Sequence, residues 1–183
     1  MREVIVMQHE PATVNRLATV QYRTFSPISR IGWSGVSLVM IAMGFGLIYD
    51  VGKPYRYFLL AAGCIIFANI GTSASVKADK TLRAIRQQGG DFPCTKMVFN
   101  ASDITVTEKG MPSHTVSYSN IIRTVEDAEY YYLFITAEAA YMVPKAQLKD
   151  PVKFRQLLEA KNSKPIVSSK SLLGLNLRDL RRK

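Results

Sequence analysis

Two stretches of this sequence carry no charged residue: the 19 residues Ile31 to Tyr49 and the 20 residues Tyr57 to Val76, parted only by Asp50-Val51-Gly52-Lys53-Pro54-Tyr55-Arg56. At about 1.5 Å per residue, a helix of that length covers roughly 30 Å, the hydrocarbon thickness of a bilayer. Buried helices of soluble proteins rarely run beyond about 14 residues without a charge. Two such runs in tandem therefore predict a transmembrane hairpin over residues 31–76. A cleaved signal peptide fits poorly, because the first run follows a polar leader and a second run comes at once.

Orientation follows from the cations near the span ends. Arg16, Arg23 and Arg30 precede the first span and Lys77, Lys80, Arg83, Arg86 and Lys96 follow the second, against Lys53 and Arg56 in the loop. Both termini are thus expected in the cytoplasm, with the protein multi-pass in the inner (cytoplasmic) membrane. Seven loop residues present nothing to the far side that could receive an external ligand. Neither span contains Asp, Glu, Lys, Arg or His, which argues against ion or proton translocation. Asn69 is the strongly polar side chain inside a span and predicts an interhelical hydrogen bond. Ala42-x-x-x-Gly46 and Gly71-x-x-x-Ser75 are spacings that permit close helix approach, within the hairpin or against a partner.

The flanking segments read as a soluble domain. Val4 to Met7 alternates as a strand, and after Pro11 the apolar positions Val14, Leu17, Ala18, Tyr22 and Phe25 describe an amphipathic helix ended by Ser26-Pro27. These make a leader, residues 1–30. Helical spacing continues past Val76 as a basic stalk, residues 77–90, closed by Gly89-Gly90. From Phe92 the period changes to two: Met97 and Phe99, Ile104 and Val106, Val116 and Tyr118, Ile121 to Val125, Tyr130 to Thr136 and Tyr141 to Val143 predict a series of short antiparallel strands, with turns at Lys109 to Pro112 and Asp127 to Glu129. Asp150-Pro151 caps a closing helix striped by Phe154, Leu157 and Leu158. So small a core lies near the lower limit for independent folding, and the leader strand is expected to join it. The fold class is an α+β membrane protein, with the sheet domain at 91–162 and a basic tail at 163–183.

The segments Tyr118-Ser119-Asn120-Ile121, Tyr130 to Ile135 and Ala140 to Lys145, with Val125, Phe154 and Leu157-Leu158, resemble the bacterial YcxB-like family. In that family a pair of membrane helices precedes a pleckstrin-homology-like C-terminal domain, and the order of elements here is the same. The resemblance implies that fold; it implies no reaction and carries over no catalytic residue.

Chemistry-bearing motifs are sparse. Cys64 lies within a span and Cys94 at the start of the sheet, so neither a disulfide nor a metal site is indicated. His114 has Ser113 and Ser117 nearby, but a hydrolase also needs an orienting acid and an oxyanion site. No phosphate loop, dinucleotide fingerprint or metal motif occurs, and no cofactor is expected. The net charge of +10 suits nucleic acid, yet the charge sits beside the spans and in the tail while residues 91–150 are slightly acidic, so no nucleic-acid partner is expected. The cations Lys77, Lys80, Arg83 and Arg86, with Arg181, Arg182 and Lys183 of the tail, are candidate contacts for anionic lipid; the first four are also what topology alone requires. The function read from the sequence is a non-enzymatic binding or regulatory module at the membrane, engaging a protein partner, a second copy of itself or anionic lipid. The alternative is an accessory subunit of a larger membrane transporter or enzyme.

Overall fold

The computed structural model of the chain describes residues 3–47, 52–87, 89 and 91–169. The leader forms strand β1 (Glu3–Gln8) and helix α1 (Pro11–Phe25); α2 (Pro27–Gly44) and α3 (Lys53–Gln87) make a helical excursion; β2 (Cys94–Phe99), β3 (Asp103–Glu108), β4 (His114–Ser117), β5 (Arg123–Glu126), β6 (Tyr130–Phe134) and β7 (Ala140–Pro144) follow, and then α4 (Pro151–Asn162) and β8 (Ile166–Ser168). The strands build two four-stranded sheets, ordered β1-β2-β3-β4 and β7-β6-β5-β8, instead of one meander. The leader strand pairs antiparallel with β2 along its whole length, from Glu3 opposite Phe99 to Gln8 opposite Cys94. β8 falls within the stretch expected to be tail and runs parallel to β5.

The burial of each strand explains its sequence. β1 alternates, with Ile5 and Met7 buried and Val4 and Val6 exposed, because only one face of its sheet meets the core. β6 reads Tyr-Tyr-Tyr-Leu-Phe because both of its faces are covered. On one face Phe134 meets Phe25 of α1 edge-on, at 5.0 Å between ring centroids, and Tyr130 takes the Arg16 guanidinium over its ring. On the other face Tyr131 packs on Phe154 of α4. Phe154 also meets Phe99 edge-on at 4.9 Å, so α4 closes the core between the sheets. Asp150 caps α4 as expected, its carboxylate accepting from the backbone N–H groups of Val152 and Lys153 at 3.1 Å each, and Pro151 occupies the first turn.

The helical excursion differs from the expectation in its first limb. α2 spans 18 residues and begins at Pro27, but it stops at Gly44 instead of reaching Tyr49. The cause is the Gly44-Phe45-Gly46 sequence. Gly46 takes φ = 72°, its N–H bonds Met43 O at 2.9 Å and the Leu47 N–H reaches Ala42 O at 2.9 Å, which is the left-handed glycine stop of a helix. Among the described residues one helix, α3, is long and apolar enough to cross a membrane; in its most apolar 18-residue window 11% is buried. α2 and α3 lie antiparallel. Ser37 Oγ donates to Gly63 O at 2.8 Å, and Gly44 faces Leu60 and Arg56. Beyond α2, the last third of α3 packs beside α1, where Ala78 and Leu82 are buried.

Candidate functional site

The place to look for function is the junction where the helices leave the sheet domain. The chain departs after Gln8 and returns before Cys94, and the two connectors are tied together. The His9 N–H donates to Pro93 O at 3.1 Å, and Gln8 Nε2 donates to Phe92 O at 3.2 Å.

α1 is the part that holds the helices to the sheets. Leu17, Val20 and Phe25 pack toward the sheet core, while Val14 and Ala18 are buried outside it, on the side of α3. A polar clamp fixes the helix in place. Arg16 Nε lies 3.1 Å from Asp127 Oδ2 and its terminal nitrogens fork onto the Glu129 carboxylate. The same Asp127 accepts the Tyr132 hydroxyl at 2.7 Å and the N–H groups of Glu129 and Tyr130 at 2.8 and 2.7 Å. Burial pushes the Asp127 carboxyl up, but these hydrogen bonds and Arg16 outweigh it and hold it below the ordinary value. The hydrogen bond from Arg16 likewise lowers Glu129. Burial, reinforced by the bond to Asp127, raises the Tyr132 phenol. Toward the far end of α1, Arg123 Nη1 donates to Thr24 O at 3.1 Å and the Gln21 amide donates to Ala137 O. The sequence marks Asp127 to Glu129 only as a turn. A lone arginine spaced 111 residues from its aspartate leaves no local signal for the clamp.

Of the candidate lipid contacts, Lys77, Lys80, Arg83 and Arg86 are all exposed on α3. With Ala78 and Leu82 turned inward, Lys77, Lys80 and Arg83 wind around the other sides of the helix, whereas Arg86 follows Leu82 by one turn on the same face. Arg181, Arg182 and Lys183 lie outside the described residues. The candidate packing residues take several roles. Asn69 Nδ2 donates to Ile65 O of its own helix at 2.9 Å rather than across to α2. Gly71 has open space where a Cβ would stand, and Ser75 is exposed. Ala42 and Gly46 form the stop of α2. The tightest approaches between the helices fall at Gly44 and Gly63, where an added Cβ would come within 2.5 Å of Leu60 Cγ and 2.8 Å of Ile41 Cγ1, and a Cβ at Gly46 would lie 3.2 Å from Arg56 Nη2. Ser37, fully buried, supplies the interhelical hydrogen bond expected of Asn69. His114, exposed on β4, brings Nε2 within 2.9 Å of Tyr141 Oη, and Ser117 Oγ meets Ser119 Oγ at 2.8 Å.

Residues 99–158, from the last residue of β2 to Leu158 of α4, match the model of the YcxB-like protein family. This part of the chain, about a third of its length, is similar to YcxB-like proteins. The matched segment begins and ends on the core, since Phe99 and Leu158 are both buried in it, and it contains β3 to β7 and most of α4. The leader, both long helices and β8 lie outside it. No curated protein and no solved structure matches the chain.

Proposed function

We propose that the chain is a membrane-anchored binding or regulatory module without catalytic activity. Its YcxB-like sheet domain sits against the cytoplasmic face of the inner membrane on a two-helix anchor. The observation that carries this reading is the pairing of β1 with β2 on either side of the helical excursion. A single crossing by α3 would put the two strands on opposite sides of a bilayer, so the helices cross an even number of times. α2, at 18 residues, has the length of about 27 Å needed for the return crossing. The outer surface of both helices supports the same view. Val36, Leu38 and Val39 on α2 and Phe58, Ile65 and Phe67 on α3 are each 46–68% exposed, more large apolar surface than a helix pair facing water carries. The excess of cations at the sheet-domain end favours the cytoplasmic side. Two packed sheets closed by a C-terminal helix support a pleckstrin-homology-like reading of the domain, which by itself chooses no ligand. Lys77, Lys80 and Arg83 stand close enough to the membrane border for anionic lipid to be one partner.

The experiment is impermeant-maleimide labelling in intact cells of a chain with Cys64→Ser and Cys94→Ser, carrying either Lys53→Cys or Lys109→Cys. Lys53→Cys is expected to label from outside and Lys109→Cys only after lysis. Labelling of both only after lysis would overturn the two-crossing anchor.

A second reading, the accessory subunit, is favoured by Gly32, Gly35 and Gly71, which have nothing within 4 Å of a built Cβ and face away from the hairpin's own contact. A Gly71→Ile chain that migrates in detergent as a smaller complex than the parent would support that reading.

A further inference from the structure

The two sheets approach each other along β1 and β7, and this seam is closed at one end and open at the other. At the closed end the Gln147 side chain acts as a short strand, with Nε2 donating to Val6 O at 2.8 Å and Oε1 accepting from Val6 N at 3.0 Å. At the open end, past Gln8, lies a cleft of about 270 Å³ whose polar groups are the His9 imidazole, the Thr95 and Tyr141 hydroxyls and the Glu108 carboxylate. Pro93, Ile135, Ala139 of the β6–β7 turn and Ala140 at the start of β7 supply its apolar wall.

The chemistry of the cleft is one-sided. Burial lowers the pKa of His9, and the nearby Glu108 carboxylate opposes this only in part, so the imidazole is neutral near pH 7. Burial and then Glu108 raise the Tyr141 phenol, which stays protonated. Lys109, the neighbour of Glu108 in sequence, turns to Asp91 at 3.4 Å. Among the described residues no cation lines the cleft.

We propose that this cleft binds a small organic cation, an alkylammonium or guanidinium group, with Glu108 as its counter-ion and Tyr141 and His9 at its flanks. The carboxylate, the phenol oxygen and the unprotonated imidazole nitrogen all accept from N–H donors. The Tyr141 ring, held by His114, offers a π-face that attracts positive charge. An anion would meet Glu108 head-on, and an uncharged apolar molecule would cover the carboxylate without pairing it. At about 30 Å³ per water the cleft has room for about nine waters, less than the roughly 300–1,000 Å³ of pockets for drug-sized ligands. The occupant is therefore a small molecule or the end of one side chain. It would touch both connectors, since His9 and Pro93 line the cleft and are bonded to each other. This deepens the reading of the sheet domain as a binding module, and its regulatory sense rests on that reading.

The test uses the full-length chain in detergent with ¹³C-labelled histidine. The sequence holds two histidines, so two ring signals report. n-Butylammonium chloride, sodium butyrate and n-butanol are titrated at constant ionic strength. A saturable shift of the His9 signal is expected with butylammonium, half-complete at about 1–10 mM, and not with butyrate or butanol. Glu108→Gln should raise the half-saturation at least about tenfold with the His114 signal unmoved before titration, and Ala139→Leu, which fills the cleft, should abolish the shift. An equal response to butyrate or butanol would overturn the proposal, as would saturation unchanged by either substitution. If Glu108→Gln disturbs both signals before any ligand is added, Ala139→Leu decides alone. Alkaline-wash sedimentation of the parent membranes reports anchoring separately, so failure of the anchor and failure of the cleft are read independently.

Discussion

Replacing Gly63 by alanine places a methyl group where α2 already stands. The added Cβ would lie 2.8 Å from Ile41 Cγ1, 3.0 Å from Ser37 O and 3.2 Å from Ile41 N. The first contact is with a side chain that can rotate, but the other two are backbone. Restoring ordinary contact moves the helices apart by a few tenths of an ångström and stretches the 2.8 Å bond from Ser37 Oγ to Gly63 O. Overpacking of this kind costs about 1–3 kcal/mol, and a weakened interhelical hydrogen bond in lipid adds about 0.6 kcal/mol. Gly71→Ala on the same helix is the control, because nothing lies within 4 Å of its Cβ position. Both changes gain the same helix propensity, about 1 kcal/mol, so the difference between the two variants isolates the contact. Equilibrium unfolding in mixed micelles should place Gly63→Ala about 1.5–3.5 kcal/mol below Gly71→Ala. Equal stabilities, or Gly71→Ala the weaker, would refute the α2–α3 packing.

Asp127→Ala removes the acceptor of the buried Tyr132 hydroxyl and should cost about 2–3 kcal/mol in chemical denaturation; Arg16→Ala should loosen α1, read as faster amide exchange along that helix. Because Asp127 and Glu129 are both held below their ordinary values, the stability they supply is full above the unfolded carboxylate range and lost as the pH falls through their lower folded values. Wild type should therefore weaken below about pH 4, and Asp127→Asn should show a flatter acid limb in the same titration. Trp33, the one tryptophan and 54% exposed on α2, should be quenched by brominated lipid after reconstitution; quenching by aqueous iodide alone would count against the anchor. Neutralising Lys77, Lys80 and Arg83 to glutamine should reduce the anionic phospholipid that co-purifies in detergent, at up to about 1 kcal/mol for each cation close to the surface.

Much of the architecture is legible in the sequence, and the reasons are local. The proline at position 11, the Ser26-Pro27 break and the Asp150-Pro151 cap each act within a few residues, so α1 and α4 are found where spacing puts them. Period-two runs locate β2 and β3, and the continuous apolar run Tyr130–Phe134 locates β6. What escapes the sequence depends on contacts between distant segments. The end of α2 moves because Gly46 accepts a positive φ that hydropathy does not register. Asn69 satisfies its amide within its own turn, and the buried hydroxyl of Ser37 takes the interhelical bond instead. Gly63 and Gly71 look alike as letters, and only the position of α2 distinguishes the crowded one from the open one. The cleft is harder still to read, since His9, Glu108 and Tyr141 come from three separate stretches and meet only because the sheet edges part there.

The pairing of β1 with β2 also sets an order in time. Gln8 and its partner Cys94 are 86 residues apart, and at about 5–20 residues per second the ribosome takes roughly 4–17 s to deliver the second after the first. During that interval Val4, Ile5, Val6 and Met7 are a strand without a neighbour, the kind of apolar segment that chaperones hold and that aggregates when they do not. The sheet is completed only after the whole helical excursion has been made and the chain has come back to where it began. On the proposed two-crossing anchor, a nascent chain whose helices fail to insert as a pair cannot return β2 to β1, so assembly of the domain would itself report that the anchor has been laid down.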